Sequence, residues 1–273
     1  MPAPLILLVA GLLAADLKVH HITIAGRDLK KMQSDLSTAG IPTEYGGRGA
    51  NGWVEIAFAT FLDGSYLELI GAQKTTGAAA HPFGKFIDAN AGPCAWGLFL
   101  PGVHRPNDDG RRDGDLRWEP ADHENPQKQG TLFASMIEDV AFQQRKPSAP
   151  RFAGVAFVVL GVRNLDAAID LYRKKFHYSA PQRSEDSNLQ MRLAAFSETP
   201  IVLASSLNPS TPLAKHIAQF DEGPYAVVLD QANHTFAGFI GQSSQWFGQP
   251  IIWISGAGSD HPWLGVRTPK RTN

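Results

Sequence analysis

The sequence predicts an α+β protein of two similar domains, each a curved mixed sheet with its helices packed outside. Three observations carry that prediction. His21-Ile-Thr-Ile-Ala-Gly-Arg-Asp-Leu29 parallels Phe157-Val-Val-Leu-Gly-Val-Arg-Asn-Leu165 at an offset of 136 residues. Phe61 to Ile70 parallels Phe196 to Ser205 at an offset of 135, each reading as a hairpin with its turn at Asp63-Gly64 or Glu198-Thr199. Lys85 to Pro93 recurs as Lys215 to Pro224, in both places a short helix, a Gly-Pro turn and a new strand.

Taken in order, the chain opens on an apolar run, Leu5 to Ala15, too short to cross a bilayer and ending in small residues. It reads as a secretory signal over 1–16, which predicts export to the periplasm or beyond; the alternative is a buried first element of a cytoplasmic protein. A β-rich strand follows over Val19 to Ala25, then a helix capped by Asp28, with Leu29, Met32 and Leu36 at helical spacing and Gly40 as its stop. Tyr45 to Gly52 is glycine-rich but lacks the Gly-Lys-Ser/Thr ending of a phosphate loop, so it reads as a connection between strands. After the hairpin and the Gly-Pro turn, strands are expected over Asp115–Glu119 and Leu132–Glu138. Asn164 caps the repeated helix, whose buried stripe is Leu165, Ala168, Ile169 and Tyr172. The expected domains are therefore 17–146 and 151–273, joined at 147–150, where prolines resist regular structure.

Composition narrows the function. With 273 residues, 43% hydrophobic and 19% charged, the chain can bury a sizeable core, which excludes disorder and fibres. A net charge of −1 without long like-charged runs excludes electrostatic binding of nucleic acid or an anionic membrane. One cysteine, Cys94, excludes an internal disulfide and every multi-cysteine zinc or iron–sulfur pattern. The partners left are small-molecule substrates or ligands, with a homodimer as an option.

Strand alternation then picks out side chains. Over Val19 to Ala25 it puts His20, Ile22 and Ile24 on one face and Val19, His21, Thr23 and Ala25 on the other. Over Tyr66 to Ile70 it puts Leu67 and Leu69 under the helix and Tyr66 and Glu68 into whatever the sheet encloses. A carboxylate mid-strand between apolar neighbours is costly unless paired or metal-bound. Glu68 is thus either a ligand or the ion-pair partner of an arginine such as Arg27 or Arg48.

The segments His20 to Leu29, Tyr66 to Ile70, Gly92-Pro93 and Val155 to Ala168 together resemble the vicinal oxygen chelate superfamily, the glyoxalase, bleomycin-resistance and extradiol-dioxygenase group, and most closely its glyoxalase-like branch. The resemblance covers nearly all of the chain after the apolar run. It implies paired βαβββ modules curled around a divalent metal ion (Zn, Mn, Ni or Mg), with ligands from the first and last strands of each module. Carried over residue by residue, it implies His21, Glu68 and Glu138 as metal ligands, with Glu138 also catalytic and Asp139 its substitute if the register slips. Tyr66 and Arg27 are the implied substrate-orienting groups. The fourth ligand position falls near Ala95 or Trp96, neither of which binds a metal. In the second domain the corresponding positions carry Phe157, Leu203, and Ala226 or Val227, so that copy is expected to be metal-free. The implied activity is that of a lyase or isomerase acting on a small oxygen-chelating carbonyl or hydroxylated substrate. The alternatives are a non-catalytic binding protein of the same fold and an extradiol-type dioxygenase, the latter disfavoured because a second histidine ligand is missing.

Overall fold

A computed structural model describes residues 17–49, 52–73, 82–99, 117–119, 132, 135–138, 146–232, 241–254 and 262–267. The expected signal segment and Asp139 lie outside the described residues.

Local chemistry sets the two long helices in matching ways. Asp28 and Asn164 each sit in the β region and accept the backbone N–H three residues on, Lys31 and Ala167, at 3.0 Å. They open α1 (Leu29–Thr38) and α3 (Leu165–Phe176), which bury the stripes expected of them. In α3 Asp166 in the first turn and three basic residues in the last also suit the helix dipole.

The strands form two sheets. β1 (Lys18–Gly26), β2 (Glu44–Arg48), β3 (Val54–Thr60), β4 (Tyr66–Ala72), β5 (Gly92–Phe99), β6 (Arg117–Glu119) and β7 (Ser135–Glu138) pair in the order β2-β3-β4-β1-β5-β7-β6. β8 (Phe152–Gly161), β9 (Gln182–Asp186), β10 (Met191–Ala195), β11 (Ile201–Ser206), β12 (Gly223–Gln231), β13 (Gly241–Trp246), β14 (Gln249–Ile254) and β15 (Leu264–Arg267) pair in the order β13-β14-β15-β12-β8-β11-β10-β9. Each sheet has one connectivity: the first strand of a module lies parallel to its last (β1 to β4, β5 to β7, β8 to β11, β12 to β15), and two modules join through antiparallel first strands. This is the paired βαβββ arrangement. Short helices α2 (Gly84–Ala89) and α4 (Pro212–Phe220) precede the second module of each sheet.

Burial divides each sheet into two faces. Ile22, Ile24, Leu67 and Leu69 join Leu29, Met32 and Leu36 of α1 in a core that runs on into Val158 and Leu160 of the second sheet and Leu165 and Ile169 of α3. The helix-side faces of the two sheets thus share one core, and Phe86 of α2 stacks on Phe220 of α4 with ring centroids 4.8 Å apart.

Three sequence expectations are corrected. Tyr45 to Gly52 is not simply a connection, because Glu44–Arg48 forms edge strand β2, with a register shift beside Gly47. Val19, and not His20, joins Ile22 and Ile24 in the helix-side core. The cause is a β-bulge between Val19 and His21, which inserts one extra residue against β5 and inverts the alternation before it. In the second sheet Val202 pairs with Val159 as Glu68 pairs with Thr23, so the counterpart of Glu68 is Val202, whereas Leu203 lies in the helix-side core.

Candidate functional site

The concave face of the first sheet gathers its polar groups at the centre, on β1 and β4. Those strands run parallel with His21 opposite Tyr66 and Thr23 opposite Glu68, which puts all four on one face. The bulge adds His20 to the group: its Nδ1 lies 2.9 Å from Nδ1 of His21, and both rings are buried. Two facing nitrogens need one proton between them, so one ring donates from Nδ1 and the other accepts there. When both are neutral, the donor ring keeps its lone pair on Nε2 and the acceptor ring its proton there. Tyr66 stacks on His21 at 5.3 Å and meets His20 and Phe58 edge-on, fixing both imidazoles against aromatic walls.

Glu68 is half-buried and receives a hydrogen bond from the Thr23 hydroxyl at 2.7 Å. Burial pushes its carboxyl above the ordinary glutamate range, and the Thr23 bond only partly offsets this. The ion-pair alternative is not realised. Arg27 is exposed and donates from Nε to the Asp88 carbonyl at 2.5 Å, at the end of α2, and Arg48 lies against the side-chain amide of Gln73, whose oxygen accepts from Arg48 once the amide is turned toward it. Cys94 occupies a second bulge, on β5, where it donates to the Thr23 carbonyl at 3.5 Å. Burial, and then the neighbouring Glu68 charge, push its thiol well up, so it stays protonated and unreactive.

The structure therefore brings together His21, Tyr66 and Glu68 of the expected site residues, and places Arg27 elsewhere. Glu138 ends β7, paired with Arg117; its side chain lies outside the described residues. β7 pairs parallel with β5, with Met136 opposite Leu98, and on β1 His21 stands opposite Gly97 of β5. Sequence reasoning missed His20 and Thr23 as members of the group. Thr23 was visible as a neighbour of His21 by alternation, whereas the bulge at His20 leaves no signal in a single strand.

Among the described residues no group of three or more His, Cys, Asp and Glu side chains comes together as a metal would require. With Nδ1 of each histidine turned to the other, at most one ring nitrogen lone pair, on Nε2, and one oxygen of Glu68 are left as donors among the described residues, and the nearest positions on β5, Ala95 and Gly97, offer none. The described donors do not fit a resident divalent ion.

No family model and no curated protein matches the chain. Among solved structures it is similar to a methylmalonyl-CoA epimerase from Mycobacterium tuberculosis, at 15% identity and TM-score 0.39 over 46% of this chain and 94% of that one. A Streptomyces coelicolor methylmalonyl-CoA epimerase variant in complex with 2-nitronate-propionyl-CoA matches at 13% identity and TM-score 0.37, over 42% of this chain and 96% of that one. A hypothetical protein from Bacillus halodurans C-125 matches at 11% identity and TM-score 0.35, over 44% of this chain and 96% of that one. Among the described residues no helix is long and apolar enough to cross a membrane.

Proposed function

We propose that this chain is an enzyme of isomerase or lyase type that moves a proton on a small carbonyl- or hydroxyl-bearing substrate at the concave face of the first sheet. Glu68 carries the reading. It is a carboxyl in mid-strand whose one hydrogen-bond partner is Thr23 and which has no cationic partner among the described residues. A structural role would pair such a group with an arginine or lysine, whereas a general base needs an affinity for protons raised toward the working pH. The Thr23 hydroxyl holds one carboxylate oxygen and leaves the other for the substrate. The His20–His21 pair and Tyr66 form the buried aromatic and polar wall beside Glu68. Proton abstraction beside a carbonyl fits this set, with Glu68 as base.

The test is proton exchange. Two-oxo acids, α-hydroxy ketones and acyl thioesters, incubated with the protein in D2O and followed by NMR, should reveal at least one compound that takes up deuterium next to its carbonyl. Glu68→Gln should slow that exchange about 10²- to 10⁴-fold, the usual worth of a positioned base. Exchange at the wild-type rate in a folded Glu68→Gln protein, or none with any compound of the three classes, overturns the reading.

We also propose that the apolar run Leu5 to Ala15 directs export and is removed, which N-terminal sequencing of the protein from its source cell would check. An intact Met1 or Pro2 there would refute it.

A further inference from the structure

In the second sheet Val202 takes the position of Glu68, yet the concave face holds a half-open cavity of about 250 Å³. The cavity exists because the sheet curls until its end strands meet. Trp246 of β13 donates from Nε1 to the Asp186 carboxylate on β9 at 2.6 Å, and Asn188 donates to the Ser243 carbonyl at 3.1 Å. Strand register then places a cation in the space. Leu264 and Val266 of β15 lie in the helix-side core, so alternation turns Arg267 to the concave face, with Asp230 of β12 and Ile251 of β14 opposite it.

Arg267 is held more firmly than an ion pair requires. Its Nε and Nη2 donate to the two oxygens of Asp230 at 2.6 and 3.1 Å, Nη1 donates to the side-chain oxygen of Gln249 at 3.0 Å, and the guanidinium carbon lies 5.0 Å from the Phe157 ring centroid. A guanidinium has five N–H donors, so three fix the group and two have no acceptor among the described residues. The side chain keeps 24% of its surface exposed, so a ligand can reach it. A donor group fixed in this way loses little freedom when it binds.

The polar wall around it donates as well. Gln249 spends its oxygen on Arg267 and keeps its N–H groups, and Gln182 adds a second amide at the exposed rim. Among the described lining residues Arg267 is the one charged side chain, since Asp230 pins it from outside the lining. A wall of donors around a cation suits a group that only accepts, which an ionised carboxylate does. Its bonds to a guanidinium are about twice as strong as those of a neutral oxygen. Asp230 already balances the arginine, so a singly charged carboxylate is better tolerated than a doubly charged phosphate.

We propose that this cavity binds the carboxylate of an organic acid, which accepts from Arg267 while the rest of the molecule extends through the open side. The site is independent of Glu68 and of the chemistry proposed there.

NMR titration of the isotope-labelled full chain with acetate, butyrate and hexanoate, with the amide of each, and with inorganic phosphate tests this. At least one acid should saturate, with shifts at the side-chain N–H signals of Arg267 and Gln249, and its amide and phosphate should each bind about tenfold more weakly. Arg267→Gln should weaken binding of the acid about tenfold. Gln182→Glu sits at an exposed position that leaves the core untouched, and a carboxylate placed there at the rim should weaken binding about threefold by like-charge repulsion. Glu68→Gln should bind as the wild type does. Failure of every acid to saturate, an amide or phosphate that binds as tightly as the acid, unchanged binding in Gln182→Glu, or loss of binding in Glu68→Gln overturns the proposal.

Discussion

The indole N–H of Trp246 reaches the Asp186 carboxylate at 2.6 Å and so ties the first strand of the eight-stranded pairing order to the last. Asp186 is almost fully buried, and its other oxygen already accepts from the backbone N–H groups of Asn188 and Leu189. Trp246→Phe keeps an aromatic ring in the core but leaves that carboxylate oxygen without its donor. We expect a loss of about 1–3 kcal/mol in urea unfolding, the penalty of an unsatisfied buried acceptor. An unfolding midpoint equal to that of the wild type would show that the closure of the sheet does not depend on this bond.

Glu68 makes stability depend on pH in a defined direction. Its folded-state affinity for protons is raised by burial, so its contribution is fully present below the ordinary glutamate range and is lost as pH rises through the folded value. Asp63 is also raised by burial and acts with the same sign. Glu68→Gln removes one of these titrations. Its melting temperature relative to the wild type should therefore climb between pH 4 and pH 8, and a difference that stays flat or falls over that range would contradict the burial of the group.

The parts of this architecture that follow from local rules were legible in the sequence. Asp28 and Asn164 announce their helices because a short polar side chain before an apolar stripe has few other uses. Glu68 stands out because Leu67 and Leu69 fix its face. What was not legible depends on the partner strand. The bulge before His21 is a property of the β1–β5 pair, so His20 read as a core neighbour of Ile22. The one-residue error at Leu203 arose in the same way, since sequence alignment alone cannot fix the register of β11 on β8, and the pairing of Val202 with Val159 does. The position of Glu138 likewise depends on how β7 pairs with β5.

Close packing of a turn against a strand gives a steric prediction. A Cβ on Gly71 of β4 would lie 2.8 Å from the backbone nitrogen of Leu29 and 2.7 Å from its Cβ, at the first turn of α1. Backbone cannot swing aside as a side-chain tip can, so Gly71→Ala should push α1 off the sheet at a cost of about 1–3 kcal/mol. Thermal unfolding checks this, and an unchanged melting temperature would mean that α1 is free to shift.

The donor set on β1 and β4 leads to an expectation about metal. Three protein donors are the usual minimum for a catalytic ion, and here the described residues bring no such group together. His20 and His21 turn Nδ1 toward each other, and Glu68 takes the Thr23 hydroxyl. With the imidazole pair intact an ion would find at most the one Nε2 lone pair and one oxygen of Glu68 among the described donors, and Ala95 and Gly97 on the next strand. Protein purified without chelator should therefore hold well under one equivalent of Zn, Mn, Ni or Mg by elemental analysis. Excess EDTA should leave its melting temperature unchanged, because a ligand that does not bind the folded state adds nothing to stability. Deuterium exchange at the substrate should survive the same treatment and still disappear in Glu68→Gln. Stoichiometric metal that is lost in both His21→Ala and Glu68→Ala would reverse this and restore the chelating site implied by the sequence resemblance, with Glu138 the next residue to substitute.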